Sequence, residues 1–189
     1  PAWPADVRRF LQTRRSRPLK LLAAPVPDRA ELRALLEMAA RSPDHGKLEP
    51  WRFIVLERAD LARLAEAATA RATEAGLGPD DKAAAQFAGS PLAVAVIAAP
   101  KAHPKIPEIE QLYSAGAVCL ALLNAALASG WGANWLSGWL AHDRAFVQSA
   151  LGLAPHEQVA GFIHIGTADT PPPERPRPDL EAITRWGLS

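Results

Sequence analysis

Arg14, Arg15 and Ser16 put two guanidinium groups and a hydroxyl on consecutive positions. A guanidinium fork matches the paired oxygens of a phosphate, and such a charge-assisted bond is roughly twice as strong as a neutral one. The same residues also suit a solvated basic end of a helix. Arg41 and His45 flank the turn-rich stretch that begins at Pro43, where a side chain carried by a rigid element still reaches an anionic ligand. They read equally as a helix C-terminal cation and a loop hydrogen-bonder. Trp135, Leu136 and Ser137 precede Gly138 and offer an aromatic face, with backbone N–H groups that a nearby glycine leaves open to a planar ring. Core tryptophans in a strand would have the same pattern.

Other chemistries find less support. The chain has no GxSxG elbow, and Cys119 has no basic neighbour in sequence. Its five histidines lack HExxH or paired-cysteine spacing, so no metal is expected. A Rossmann fingerprint and a P-loop are also missing, so a nicotinamide nucleotide would bind transiently against another prosthetic group. With 21 basic and 20 acidic residues well mixed along the chain, the formal charge is +1. That balance argues against nucleic acid as a partner. One cysteine fits a reducing compartment, and its place in an apolar stretch marks it as a core thiol. No run of about 18 consecutive apolar residues and no signal-peptide pattern is present, which leads to the expectation of a cytoplasmic protein without a membrane span.

The elements that must position these residues follow from periodicity. At 189 residues a single domain is expected. Val7, Phe10 and Leu11 predict a short helix over 5–13, and Asp28 with Glu31 caps a second that runs towards Ser42. Trp51 to Leu56 predicts a strand, and Leu61, Leu64, Ala65 and Ala68 a helix ending near Gly76. Asp80 and Asp81 open a further helix that stops near Gly89. The uncharged run Leu92 to Ala98 predicts a central strand covered on both faces. A long buried helix covers Ile109 to Ser129, then a strand within 131–139, a helix around Phe146, Val147 and Leu151, and a strand from Val159 to Ile165. Residues 169–178 are proline-rich and predict an extended strap, after which Leu180, Ile183 and Trp186 can dock on a twin subunit. Helices alternating with short strands give an α+β or mixed α/β domain.

Four stretches carry a wider resemblance: RRSRP at 14–18, RSPDHGKLEPWRFIVLE at 41–57, YSAGAVCLALLNAALASGWGANWLSG at 113–138 and GFIHIGT at 161–167. In order and spacing they resemble the nitroreductase family, in particular its short-chain branch, from about Val7 to Gly166. The resemblance implies an α+β, nitroreductase-like fold: a central mixed, mainly antiparallel sheet flanked by helices, in an intertwined homodimer with the active sites between subunits. It implies that FMN is held by Arg14, Arg15 and Ser16, chiefly at its phosphate and ribityl end. Arg41 and His45 would reach the flavin bound by the partner chain, and Trp135, Leu136 and Ser137 would line the isoalloxazine. The helix Ile109 to Ser129 would build much of the dimer contact, and 169–189 would clasp the partner.

The implied activity is that of an NAD(P)H oxidoreductase. Hydride from NADH or NADPH passes through flavin N5 to a small oxidised acceptor, such as a nitroaromatic or a quinone, in a ping-pong cycle without a catalytic side chain. A flavin-binding module without turnover fits the same residues, as does another flavin reaction on this scaffold, such as reductive dehalogenation, enone reduction or flavin fragmentation. Lys47 and Glu49 stand where many members have Asn and Gln ahead of Pro-Trp, and Leu136 where the nearest branch has arginine. These departures bear on substrate choice. Arg175 and Arg177 are further basic residues in the tail, outside the assigned set.

Overall fold

The computed structural model describes residues 4–77 and 82–187. Helix α1 is Ala5–Thr13 and α2 is Arg29–Ala39. At the start of α2 the Asp28 carboxylate accepts from the N–H groups of Ala30 and Glu31, at 2.8 and 2.9 Å, while Glu31 accepts from the Asp28 N–H at 2.9 Å. This reciprocal cap is the one the sequence predicts, and it satisfies donors that a helix start otherwise leaves unpaired. Strand β1 is Trp51–Leu56, α3 is Arg58–Glu74 and α4 is the single turn Ala85–Ala88. Asp80 and Asp81, expected to open that helix, lie outside the described residues. Then follow β2 (Ala93–Ala98), α5 (Glu108–Ala128), β3 (Gly132–Leu136), α6 (Arg144–Leu151), β4 (Gln158–Gly166) and α7 (Leu180–Ile183).

The strands form one sheet in the order β1-β2-β4-β3, and every pairing between them is antiparallel. The expected mainly antiparallel sheet is present, with helices on both faces. β2 is buried along its whole length, as its uncharged run predicts. Val94 and Val96 face Leu35 of α2 and Val118 and Leu122 of α5, in a cluster that also holds Cys119. Burial pushes the Cys119 thiol up to about 12, so it is a core group and not a nucleophile. On the other face Ala95 and Ile97 meet α3, α6 and an aromatic trio. There Phe87 packs against Phe146 at 5.9 Å and meets Phe162 edge-on at 5.2 Å.

Helix α5 is long and apolar enough to cross a bilayer by length and composition, with a mean hydropathy of 1.5. Half of that window is buried inside the chain, against α2 and the sheet. The run of consecutive apolar residues in the sequence is shorter, because Asn124 and the acidic first turn interrupt it. The face of α5 bearing Tyr113 and Leu120 stays exposed, at 70% and 45%. The strap over 169–178 has no regular structure, as expected, and Leu180, Ile183 and Trp186 beyond it are 67%, 68% and 80% exposed. These apolar side chains therefore find no seat among the described residues of their own chain.

Candidate functional site

The segment after α1 is fastened to β3. Arg14 leaves the helix in an extended conformation (φ −57°, ψ 139°), and the Arg17 N–H donates to Ala133 O at 2.8 Å. Arg14 Nη2 lies 3.2 Å from Ser16 Oγ, so the first guanidinium and the hydroxyl form one unit. Arg14 Nε is buried and has no hydrogen-bond partner among the described residues. Burial, then the nearby charges of Arg177 and Arg15, pulls the Arg14 guanidinium below its ordinary pKa. A donor left unpaired among like charges is costly, and an anion relieves both costs at once.

Arg15 donates to Pro173 O and approaches Glu174 Oε1 at 3.5 Å, while Arg177 Nη2 meets the same Glu174 oxygen at 2.8 Å. Arg14, Arg15, Gly132 and Glu174 border a cavity of about 390 Å³ between the end of α1, the start of β3 and the strap. Arg177 of the tail, outside the residues that the family resemblance assigns to the cofactor, extends its charge to this cluster. Glu174 carries no signal in the sequence, because no local pattern links it to a residue 159 positions away.

Trp135, Leu136 and Ser137 sit at the far end of β3. Trp135 is 37% exposed and lies over Gly161 of β4, where an added Cβ would fall 2.1 Å from its indole Nε1. Only glycine permits that approach. Ser137 O accepts from Gln86 Nε2 at 3.2 Å, and Gly138 turns the chain away with φ 73°. Leu136, Ser137 and Gln86 border a second cavity of about 340 Å³. Gly132 and Leu136 are four residues apart, roughly 13 Å at strand spacing. β3 thus runs from a cationic cavity to a second one whose aromatic lining is Trp139, while Trp135 at the same strand end borders neither, a layout for a ligand with a phosphate at one end and a ring at the other.

Arg41 and His45 lie elsewhere. Arg41 follows α2, its N–H donating to Met38 O at 3.2 Å, and its side chain is exposed. His45 Nδ1 is 2.6 Å from Glu110 Oε2 of α5, and both border a cavity of about 470 Å³ with Tyr113. The loop that carries His45 is held firmly. Leu48 N–H donates to Asp44 Oδ1 at 2.6 Å, and Ser114 Oγ donates to Pro43 O at 2.9 Å. Gly46, Lys47 and Glu49 all have left-handed φ, of 72°, 55° and 48°. For the two non-glycines that conformation costs on the order of 1–3 kcal/mol each, strain that tends to sit at functional loops. Among the described residues, none lines both this cavity and the one at Arg14. Within one chain the structure joins Arg14, Arg15 and Ser16, and separately Trp135, Leu136 and Ser137, but does not bring His45 to the Arg14 cavity.

The architecture has solved counterparts. A nitroreductase-like family protein from Bacillus cereus superposes with a TM-score of 0.78 at 20% identity, over 98% of this chain and 97% of that one. A nitroreductase-type protein from Desulfovibrio desulfuricans, solved in complex with FMN, gives 0.75 at 20% identity and full coverage of both chains. The FMN and NADPH-dependent nitroreductase NfnB from sphigopyxis sp. strain HMH gives 0.72 at 21% identity, over 95% and 98%. The fold is therefore nitroreductase-like.

Sequence comparison takes the assignment further. The Nitroreductase family model matches residues 11–167. YdjA of Escherichia coli (strain K12), whose name places it among NAD(P)H nitroreductases, is 34% identical over 166 residues, 86% of this chain and 88% of YdjA. A Haemophilus influenzae protein described in the same terms is 35% identical over 167 residues, with the same coverage. The chain belongs to the nitroreductase family.

Proposed function

We propose that this chain is an FMN-dependent NAD(P)H oxidoreductase, a single domain acting as a homodimer on a small oxidised acceptor such as a nitroaromatic or a quinone. The observation that carries the reading is the buried, unpartnered Nε of Arg14, set among like charges on a cavity that β3 connects to Trp135. The group that fits has a phosphate at one end and a planar ring at the other, and FMN has both. Bound there, FMN would supply the two-electron redox chemistry that links NADH or NADPH to the acceptor in a ping-pong cycle.

The side chains of this protein bind and orient. Arg14, Arg15 and Ser16 give the phosphate and ribityl end its charged hydrogen bonds. Trp135 presents a ring face, and the half-buried backbone of Leu136 and Ser137 borders the isoalloxazine and keeps bulk water from it. Arg41 and His45, on the segment that follows α2, would face the flavin held by the partner chain, where the charge of Arg41 would favour the reduced cofactor. The exposed anchors Leu180, Ile183 and Trp186, with the open face of α5, supply apolar surface for the twin subunit. Since NADH and NADPH are cytoplasmic reductants, the same reading places the protein in the cytoplasm.

The test is spectroscopic. Purified protein is expected to carry flavin absorbance, or to regain it with FMN, and to bleach when mixed anaerobically with NADH or NADPH. A colourless protein that FMN does not reconstitute overturns the reading. Tight FMN binding without bleaching by either nucleotide reduces it to a flavin-binding module.

A further inference from the structure

Glu174 stands among the cations assigned above to the phosphate. Its Oε1 is 2.8 Å from Arg177 Nη2 and 3.5 Å from Arg15 Nη1, and it borders the same cavity as Arg14. The Arg175 N–H bond first, and then the neighbouring charges of Arg177 and Arg15, hold the carboxyl below its ordinary range, so it is an anion at neutral pH. Arg14 Nε stays unpartnered beside it, so Glu174 answers the charge of two arginines and leaves the third unsatisfied.

A phosphate monoester carries a charge of about −1.5 to −2 and three acceptor oxygens, enough for all three arginines. Two anions cannot share that space without mutual repulsion. Glu174 has an easy exit, since its side chain is already 65% exposed. The backbone has less freedom, because Pro171, Pro172, Pro173, Pro176 and Pro178 stiffen the strap. We propose that Glu174 is a built-in competitor for the phosphate, a carboxylate on the strap that sets how strongly this site prefers phosphorylated over unphosphorylated flavin. The proposal rests on reading this cavity as the phosphate end of the FMN site.

The experiment uses the full chain, depleted of flavin by dialysis against bromide and titrated with FMN and with riboflavin by fluorescence quenching. Wild type is compared with Glu174→Gln, and Glu181→Gln, exposed in the tail, controls for net charge. Glu174→Gln is expected to bind FMN roughly fivefold tighter with riboflavin unchanged, the size of one exposed ion-pair interaction. The gain is expected to shrink at high salt, and Glu181→Gln to match wild type. Equal or weaker FMN binding by Glu174→Gln overturns the proposal, as does a shift that riboflavin shares. FMN bound alike by wild type and Glu174→Gln removes the role of Glu174 alone, whereas FMN bound by neither removes the flavin reading as well.

Discussion

Arg14 is held where its charge is least comfortable, partly buried and flanked by Arg15 and Arg177. Replacing it with alanine is expected to weaken FMN retention by about 1.5–3 kcal/mol, the usual worth of a hydrogen bond to a charged group, and riboflavin much less. Equal losses for the two ligands would take Arg14 away from the phosphate. His164 is a second residue whose surroundings have a measurable outcome. It is fully buried in β4, with Nδ1 2.9 Å from Ser90 Oγ and Nε2 unpartnered. Burial lowers its pKa from the ordinary 6.5 to about 4. The unfolded chain therefore takes up the proton first as pH falls. Stability is whole above 6.5 and declines between 6.5 and 4. Urea midpoints are expected to follow that decline, and His164→Gln to flatten it; parallel slopes would acquit this residue. At lower pH Glu157 takes over. Its bidentate bond with Arg52, at 2.6 and 2.8 Å, holds it at about 2 against an ordinary 4.5, so its stabilisation is complete above 4.5 and lost towards 2.

Elements decide how well those residues are aimed. The cap at Asp28 starts α2, and α2 packs on α5 and delivers the chain to the loop with Arg41 and His45. Asp28→Ala is expected to cost about 1 kcal/mol, read as a lower urea midpoint at unchanged slope. A midpoint equal to wild type would mean that tertiary packing alone fixes the helix start. The loop after α2 is held more tightly than its composition suggests. A Cβ at Gly46 would push aside only the tip of Ile106, 2.5 Å away at Cδ1, but the residue has a φ of 72°, so it is the backbone that requires glycine. Gly46→Ala is expected to loosen the His45–Glu110 pair, visible as a change in the His45 ring shifts by NMR; unaltered shifts would show that the pair does not depend on the loop's shape.

The whole molecule leaves apolar surface unused. Val7 and Leu11 of α1, Tyr113 and Leu120 of α5, and Leu180, Ile183 and Trp186 of the tail are each between 45% and 80% exposed. So much apolar exposure on one chain suits a protein that folds against a copy of itself. Changing Leu180 and Trp186 together to aspartate is expected to shift the sedimentation mass from dimer to monomer and to weaken FMN retention. The second effect follows because Arg41 and His45 are read as serving the other subunit's cofactor. A dimer that persists unchanged would free the tail of that role.

Much of this was legible along the chain because it rests on local physics. Helical periodicity, the Asp28–Glu31 cap, the uncharged run of β2 and the proline strap each act within a few residues. The motifs RRSR, PDHG and WLSG could be read one by one. Their arrangement could not. The contacts that shape the site join residues far apart: His45 with Glu110 across 65 positions, Arg52 with Glu157 across 105, Arg15 with Glu174 across 159. Pairing at that separation carries no periodic signature, since it forms only once the sheet has closed in the order β1-β2-β4-β3. The amino-acid order by itself determined the elements, the basic and aromatic motifs and the family resemblance. Tertiary structure alone decided that Arg14 is unpartnered, that a carboxylate sits among its neighbours and that His45 lines a different cavity, because burial and long-range electrostatics exist only in the folded chain.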